Sequence, residues 1–149
     1  MQEIVLNEGQ SDVIEDLFIN NTCRYAVACA SRGFGKSYLG ATAAMIAVQE
    51  LMELDESVPN KNVALIAPTY QQAVDIYFPL LAYQLGMESY ADKSSRAAGQ
   101  FWFPRNVNLK LWSYEASERM RGSGQYMVIG DEVTSWKGAG MNFKESWES

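Results

Sequence analysis

Apolar positions along this chain follow two periods, and the switches between them divide it into elements. Over residues 9–20, "GQSDVIEDLFIN", Val13, Ile14, Leu17 and Phe18 recur at helical spacing, and Ser11 or Asp12 is placed to cap the helix they predict. "CRYAVACA", 23–30, is a short β-rich apolar run and reads as a buried strand. The stretch 36–54, "KSYLGATAAMIAVQELMEL", predicts the best helix in the chain: alanine is plentiful, and Leu39, Ala43, Ile46, Leu51 and Leu54 supply an apolar face. A polar loop, "DESVPNKN", then leads into a second buried strand, "VALIAP", 63–68, stopped by Pro68. Residues 69–86 read as helix, with a kink or break expected at Pro79, because proline lacks the amide hydrogen and crowds the preceding turn. Residues 87–100 read mostly as loop. "FWF", 101–103, and "LKLW", 109–112, flank "PRNVN" and predict a β-hairpin. "QYMVIGDEV", 125–133, predicts a strand ending in two carboxylates, and an irregular tail follows.

Strands alternating with helices imply an α/β fold with a largely parallel sheet flanked by helices. The 149 residues suffice for one domain with a core, and 48% apolar residues exclude a disordered composition. No apolar run is long enough to span a bilayer. The N-terminal "MQEIVLNEGQSD" lacks a secretory pattern, so the expected compartment is the cytosol. The chain has no histidine, and its two cysteines, Cys23 and Cys29, share one predicted strand. That excludes a Cys/His zinc site and a histidine base, leaving carboxylates, lysine, arginine and serine for any chemistry. A net charge of −6 also argues against tight, independent DNA binding.

The candidate chemistry sits in "ACASRGFGKSYLG", 28–40. Gly-Lys-Ser between a predicted strand and a predicted helix is the context of a P-loop. Glycines let backbone N–H groups turn inward, those groups form a nest for phosphate oxygens, and the helix start adds the positive end of its dipole. Lys36 would then reach the β- and γ-phosphates of ATP, and Ser37 would offer its hydroxyl to Mg2+. Ala30 stands where the full pattern has its first glycine, and the same triplet also reads as a plain glycine turn before a helix. The strand ending at Asp131 and Glu132 supplies the complementary half: Asp131 to hold Mg2+ through water, Glu132 to polarise the attacking water. Ligands of open α/β sheets sit beyond the carboxyl ends of the strands, and both motifs follow strand ends.

Together these segments resemble the large terminase subunits, the DNA-packaging motors of tailed double-stranded-DNA bacteriophages. "SRGFGKS" resembles the variant Walker A loop of that family, "ALIAPTYQQA" its second segment, "FWFPRNVNLKLWS" its small hairpin, and "ERMRGSGQYMVIGDEV" its Arg-Gly segment and Walker B strand. The likeness runs from about residue 5 to 136, in the family's order. It implies a RecA-like P-loop ATPase fold and a nucleotide site formed by Ser31, Arg32, Gly33, Phe34, Gly35, Lys36, Ser37 and Tyr38. It places Arg32 as a cis arginine finger, since a guanidinium there neutralises charge developing on the γ-phosphoryl group. Gln10 stands where the family recognises adenine, and Arg119 or Arg121 is a candidate for action in trans. Those arginines equally read as solvated charges or as partners of Glu115 and Glu118.

The family pattern continues past the Walker B strand to a coupling segment and a nuclease domain with clustered acids. Residues 1–149 are therefore expected to be the front part of the ATPase domain, with no nuclease. The resemblance further implies double-stranded DNA, portal protein and small terminase subunit as partners, a homo-oligomeric ring, no membrane contact, and residence in the host cytoplasm. Two other readings stay open: a helicase-like P-loop translocase, because the Asp-Glu strand end and "APTYQQA" have helicase analogues, and a non-catalytic nucleotide-dependent assembly module.

Overall fold

The run Val63–Ala67 carries no polar side chain and is buried at every position, as a strand covered on both faces must be. In the computed structural model, which describes residues 8–19, 35–54, 57–59, 61–120 and 124–131, this run is the middle of strand β1, Asn62–Ala67. Four further strands join it: β2, Lys93–Ser95; β3, Gln100–Phe103; β4, Val107–Ser113; and β5, Met127–Gly130. The sheet order is β2-β3-β4-β1-β5. β1 is parallel to both neighbours, with Leu65 opposite Leu111 on one side and Ile129 on the other. β2, β3 and β4 form an antiparallel meander at one edge. The parallel expectation thus holds for β4, β1 and β5, while the predicted hairpin is longer than "FWF" and "LKLW" and has acquired a third strand. β2 lies in the stretch read as loop. Its Lys93-Ser-Ser has no apolar alternation to signal a strand, and it is recruited through its backbone by the edge of β3.

Two helices and a helical entry segment cover one face. Helix α1, Glu8–Ile14, runs into a wide π-helical turn, Glu15–Ile19. Because α1 already begins at Glu8, Ser11 and Asp12 lie inside it and do not cap it. Helix α2, Lys36–Met52, is buried nearly all round: Ala41, Ala44, Ala47, Val48 and Leu51 belong to the main core, while Leu39 and Ala43 meet Ile14 of α1. Small side chains let it sit between other elements, as an apolar helix without a polar face must. Of the face expected for it, Leu39, Ala43 and Leu51 are buried, whereas Leu54 lies past the helix end and is exposed. Helix α3 opens at Tyr70–Gln72 under a Thr69 cap, whose Oγ1 accepts from the Gln72 N–H at 3.1 Å. It continues through two wide turns, Ala73–Tyr77 and Leu80–Gln84. Pro79 keeps helical dihedrals of φ −62 and ψ −36 and breaks nothing. The wide turns on either side alter the hydrogen-bond spacing where its missing N–H would have interrupted an α-helix.

Alternation on β3 and β4 sends Phe101, Phe103, Val107, Leu109 and Leu111 into the core shared with α2 and α3. Phe78 of α3 stacks on Phe101 with ring centres 4.9 Å apart, and Phe101 lies 6.3 Å from Phe103. The tight turn between these strands places Arg105 and Asn106 at φ of 63 and 62, strained for side-chain-bearing residues. Arg105 is held there by donating through Nη1 to the Leu54 carbonyl at 3.2 Å. Buried Lys61 donates to the same oxygen through Nζ, also at 3.2 Å, so two cations close the C-terminal end of α2. On the opposite face of the sheet, Ala64 and Ile66 are covered by Met120, which ends a 3-10 segment, Glu115–Met120. The predicted strand 23–30, both cysteines and the tail lie outside the described residues.

Next to this aromatic row, Tyr90 tilts against Phe103 with ring centres 5.8 Å apart, and its buried hydroxyl has no hydrogen-bond partner among the described residues. Burial pushes its pKa from 10.0 up to about 12. Between those values the unfolded chain loses the proton while the folded chain retains it, so stability is intact below pH 10.0 and declines as the pH climbs toward 12. Tyr90→Phe is expected to raise neutral-pH stability by about 1 kcal/mol, because it removes an unsatisfied buried hydroxyl. It should also flatten the alkaline decline. Urea midpoints at neutral pH and inside the alkaline window measure both effects; a variant that declines as steeply as the parent would clear Tyr90 of responsibility.

Candidate functional site

Two element ends meet at one edge of the sheet, with a glycine at their contact. Gly40 lies in the second turn of α2. A β-carbon built there would lie 3.4 Å from Ile129 Cγ2 and 4.0 Å from Tyr77 Cε1. Ile129 also packs on Leu39, Ala43 and Ile14. The first turns of α2 therefore rest on the C-terminal half of β5. At about 1.5 Å per helical residue, Lys36 and Ser37 begin within one turn of that contact, and Asp131 follows Ile129 by two extended residues. At the other end of the same pair, Tyr126 donates its hydroxyl to Glu50 Oε2 at 2.9 Å, and burial with that bond pushes the Tyr126 pKa up. Helix and strand thus run antiparallel along their length, with the helix start beside the strand end.

The start of α2 has the properties an anion site needs. Gly35 precedes the helix at φ 78 and ψ 43, in the left-handed region, and as glycine it brings no side-chain cap of its own to the first N–H groups. Lys36 is exposed, and Ser37 and Tyr38 are half-buried. At the strand end, the Asp131 N–H donates to the Ile66 carbonyl at 2.9 Å, which extends the ladder one residue beyond β5 and fixes where the carboxylate leaves the sheet. The Tyr114 N–H donates to the Ala67 carbonyl at 3.0 Å, so β4 leaves the sheet at the same edge. The segment Glu115–Met120 follows directly; there Arg119 is exposed, and no ion pair joins it to Glu115 or Glu118 among the described residues.

Gln10 is buried in α1 and donates through Nε2 to the Gly35 carbonyl at 3.0 Å. Its place in the structure is therefore at the start of α2. Sequence reasoning attached it to adenine and did not see this contact, which joins residues 25 positions apart. Gly40 was also missed. Its only signal is a glycine inside an alanine-rich helix, where glycine carries a propensity cost of about 1 kcal/mol and so asks for a packing reason. Ser31, Arg32, Gly33, Phe34, Arg121 and Glu132 lie outside the described residues. Among the described residues, no cluster of three or more acidic or cysteine ligands is present, and no helix is long and apolar enough to cross a membrane.

No protein-family profile and no curated protein matches the chain. Among solved structures it is similar to the ATPase domain of the large terminase of Thermus phage P74-26, with a TM-score of 0.51 and 22% sequence identity over 74% of this chain. The match covers 48% of that chain, so the present chain spans about half its length. The likeness is one of fold: this chain is a mixed α/β sheet with a parallel core.

The Gly40 contact yields a graded expectation. A methyl at 3.4 Å from Ile129 is ordinary contact, so Gly40→Ala should be tolerated and stabilise by up to about 1 kcal/mol through helix propensity. Gly40→Leu should cost about 1–3 kcal/mol by overpacking against β5. Urea denaturation of the two variants checks the order, and a neutral leucine would mean that α2 and β5 are not held this closely.

Proposed function

We propose that this chain is the nucleotide-binding part of a terminase-like motor ATPase, acting on Mg-ATP. The observation that carries the proposal is the meeting of the α2 start with the β5 end, in a fold similar to a large terminase ATPase domain. In this reading residues 1–149 are the N-terminal part of the ATPase domain. The residues fit a triphosphate with its metal: a left-handed glycine, a helix start and an exposed lysine follow one another in the chain, and a carboxylate leaves the sheet at the same edge.

Each residue then has a physical task. The N–H groups at the α2 start donate to the phosphate oxygens, and Lys36 balances charge on the β- and γ-phosphates. Ser37, the next residue, and Asp131, through water, would hold Mg2+, which when bound would supply positive charge against the phosphates. Glu132 orients and polarises the attacking water, and Arg32 meets the negative charge that grows on the transferring group. Arg119 or Arg121 reaches a neighbouring subunit's nucleotide. Hydrolysis in this scheme drives double-stranded DNA into a procapsid within a ring of identical subunits, together with portal protein and the small terminase subunit, in the host cytoplasm.

Lys36→Ala should weaken Mg-ATP binding at least about tenfold, a loss of ~1.4 kcal/mol, because one charge-assisted contact to the phosphates disappears. Calorimetric titration decides this, and equal affinity in the variant would refute the nucleotide site. Glu132→Gln in the complete motor protein should bind ATP normally and release phosphate at about one-hundredth of the parent rate or less, the scale of a lost general base. Undiminished release would remove Glu132 from its assigned role.

A further inference from the structure

A peptide unit is planar, so its carbonyl and the following N–H are two ends of one rigid body. At the start of α2 that body is the Gly35 carbonyl with the Lys36 N–H. The oxygen accepts two hydrogen bonds: the helical one from the Leu39 N–H at 3.0 Å, and one from Gln10 Nε2 at 3.0 Å. The N–H at the other end is one of the donors that an α-helix leaves unpaired at its start, and it points out along the axis toward any bound anion. Two donors on one carbonyl fix the orientation of the plane. They also polarise the amide and strengthen the N–H as a donor.

Gln10 is well placed to hold this position. It is 5% exposed, and its helix is anchored on α2 through Ile14 against Leu39 and Ala43. The fit at Gly35 is close: a β-carbon there would lie 2.6 Å from Gln10 Nε2, on a residue already at φ +78. The backbone angle favours glycine at 35, and a side chain there would displace the Gln10 amide from its place above it.

We propose that Gln10 is a positioning residue for the phosphate loop. It holds the Gly35–Lys36 peptide plane so that the Lys36 N–H faces the phosphates, and it sets affinity for the triphosphate whatever base is attached. The proposal rests on the nucleotide-site reading above and differs from base recognition, which would act on adenine alone.

The test compares the full chain with Gln10→Glu and Gln10→Ala. The glutamate keeps the side-chain shape and loses the amide donor; the alanine loses both, and thermal melting verifies that each variant is folded. Two readouts apply. Calorimetry with Mg-ATP, Mg-GTP and inorganic tripolyphosphate should show all three weakened by a similar factor, about tenfold for one lost hydrogen bond. Amide hydrogen exchange without ligand should be faster at Leu39, whose partner oxygen is no longer fixed. Loss confined to ATP, with tripolyphosphate binding unchanged, would overturn the proposal in favour of base reading. Unchanged Leu39 exchange in the glutamate variant would overturn it as well. If the parent chain bound none of the three ligands, the nucleotide site itself would fall, while faster Leu39 exchange would still establish the Gln10–Gly35 clamp as a structural contact.

Discussion

The close approach of α2 to the end of β5 is the constraint from which the rest of the arrangement follows. A β-carbon at Gly40 would just reach contact with Ile129 and Tyr77, so the helix lies one small side chain away from the strand. Move the helix outward by the width of a leucine, and Lys36 and Ser37 no longer share an edge with Asp131. The position therefore admits only a small residue, glycine or alanine, in the interior of the longest helix described.

Helix α2 is also secured at both ends through backbone carbonyls. At its start the Gly35 oxygen takes the Gln10 amide, and beyond its end the Leu54 oxygen takes both Lys61 and Arg105. Each donor comes from a different part of the chain: an N-terminal helix, the residue before β1, and the turn of the meander. The helix that carries the candidate site is thereby tied to three other elements by polar contacts and to the sheet by its alanines. Such a scaffold suits a site whose donors must stay oriented before a ligand arrives.

The antiparallel meander contributes differently. Its apolar faces, Phe101 and Phe103 with Val107, Leu109 and Leu111, supply core on the side of the sheet away from β5, and Phe78 of α3 stacks into them. Its outward faces carry Lys93 over Trp102 at 4.8 Å and Lys110 over Trp112 at 4.2 Å, so the aromatic rings are shielded by their own neighbours. The turn that joins β3 to β4 is strained at Arg105 and Asn106, and the bond from Arg105 to Leu54 ties that strain to the end of α2.

Local pattern was enough to read α2, β1, the hairpin and β5, because each is a periodic or continuous apolar run whose burial is decided by its own residues. The adjacency of Gly-Lys-Ser to a helix start and of Asp131 to a strand end was legible for the same reason. Other features belonged to the tertiary structure alone. β2 is a strand because β3 offers its edge, and Pro79 stays helical because wide turns flank it. Position 40 is confined to a small residue because Ile129 lies above it, and Gln10 reaches the Gly35 carbonyl because α1 packs on α2. A sequence displays what a residue prefers over its own few neighbours. Which distant backbone it touches is decided only when helices and strands are packed, since those contacts join residues that the chain itself keeps far apart.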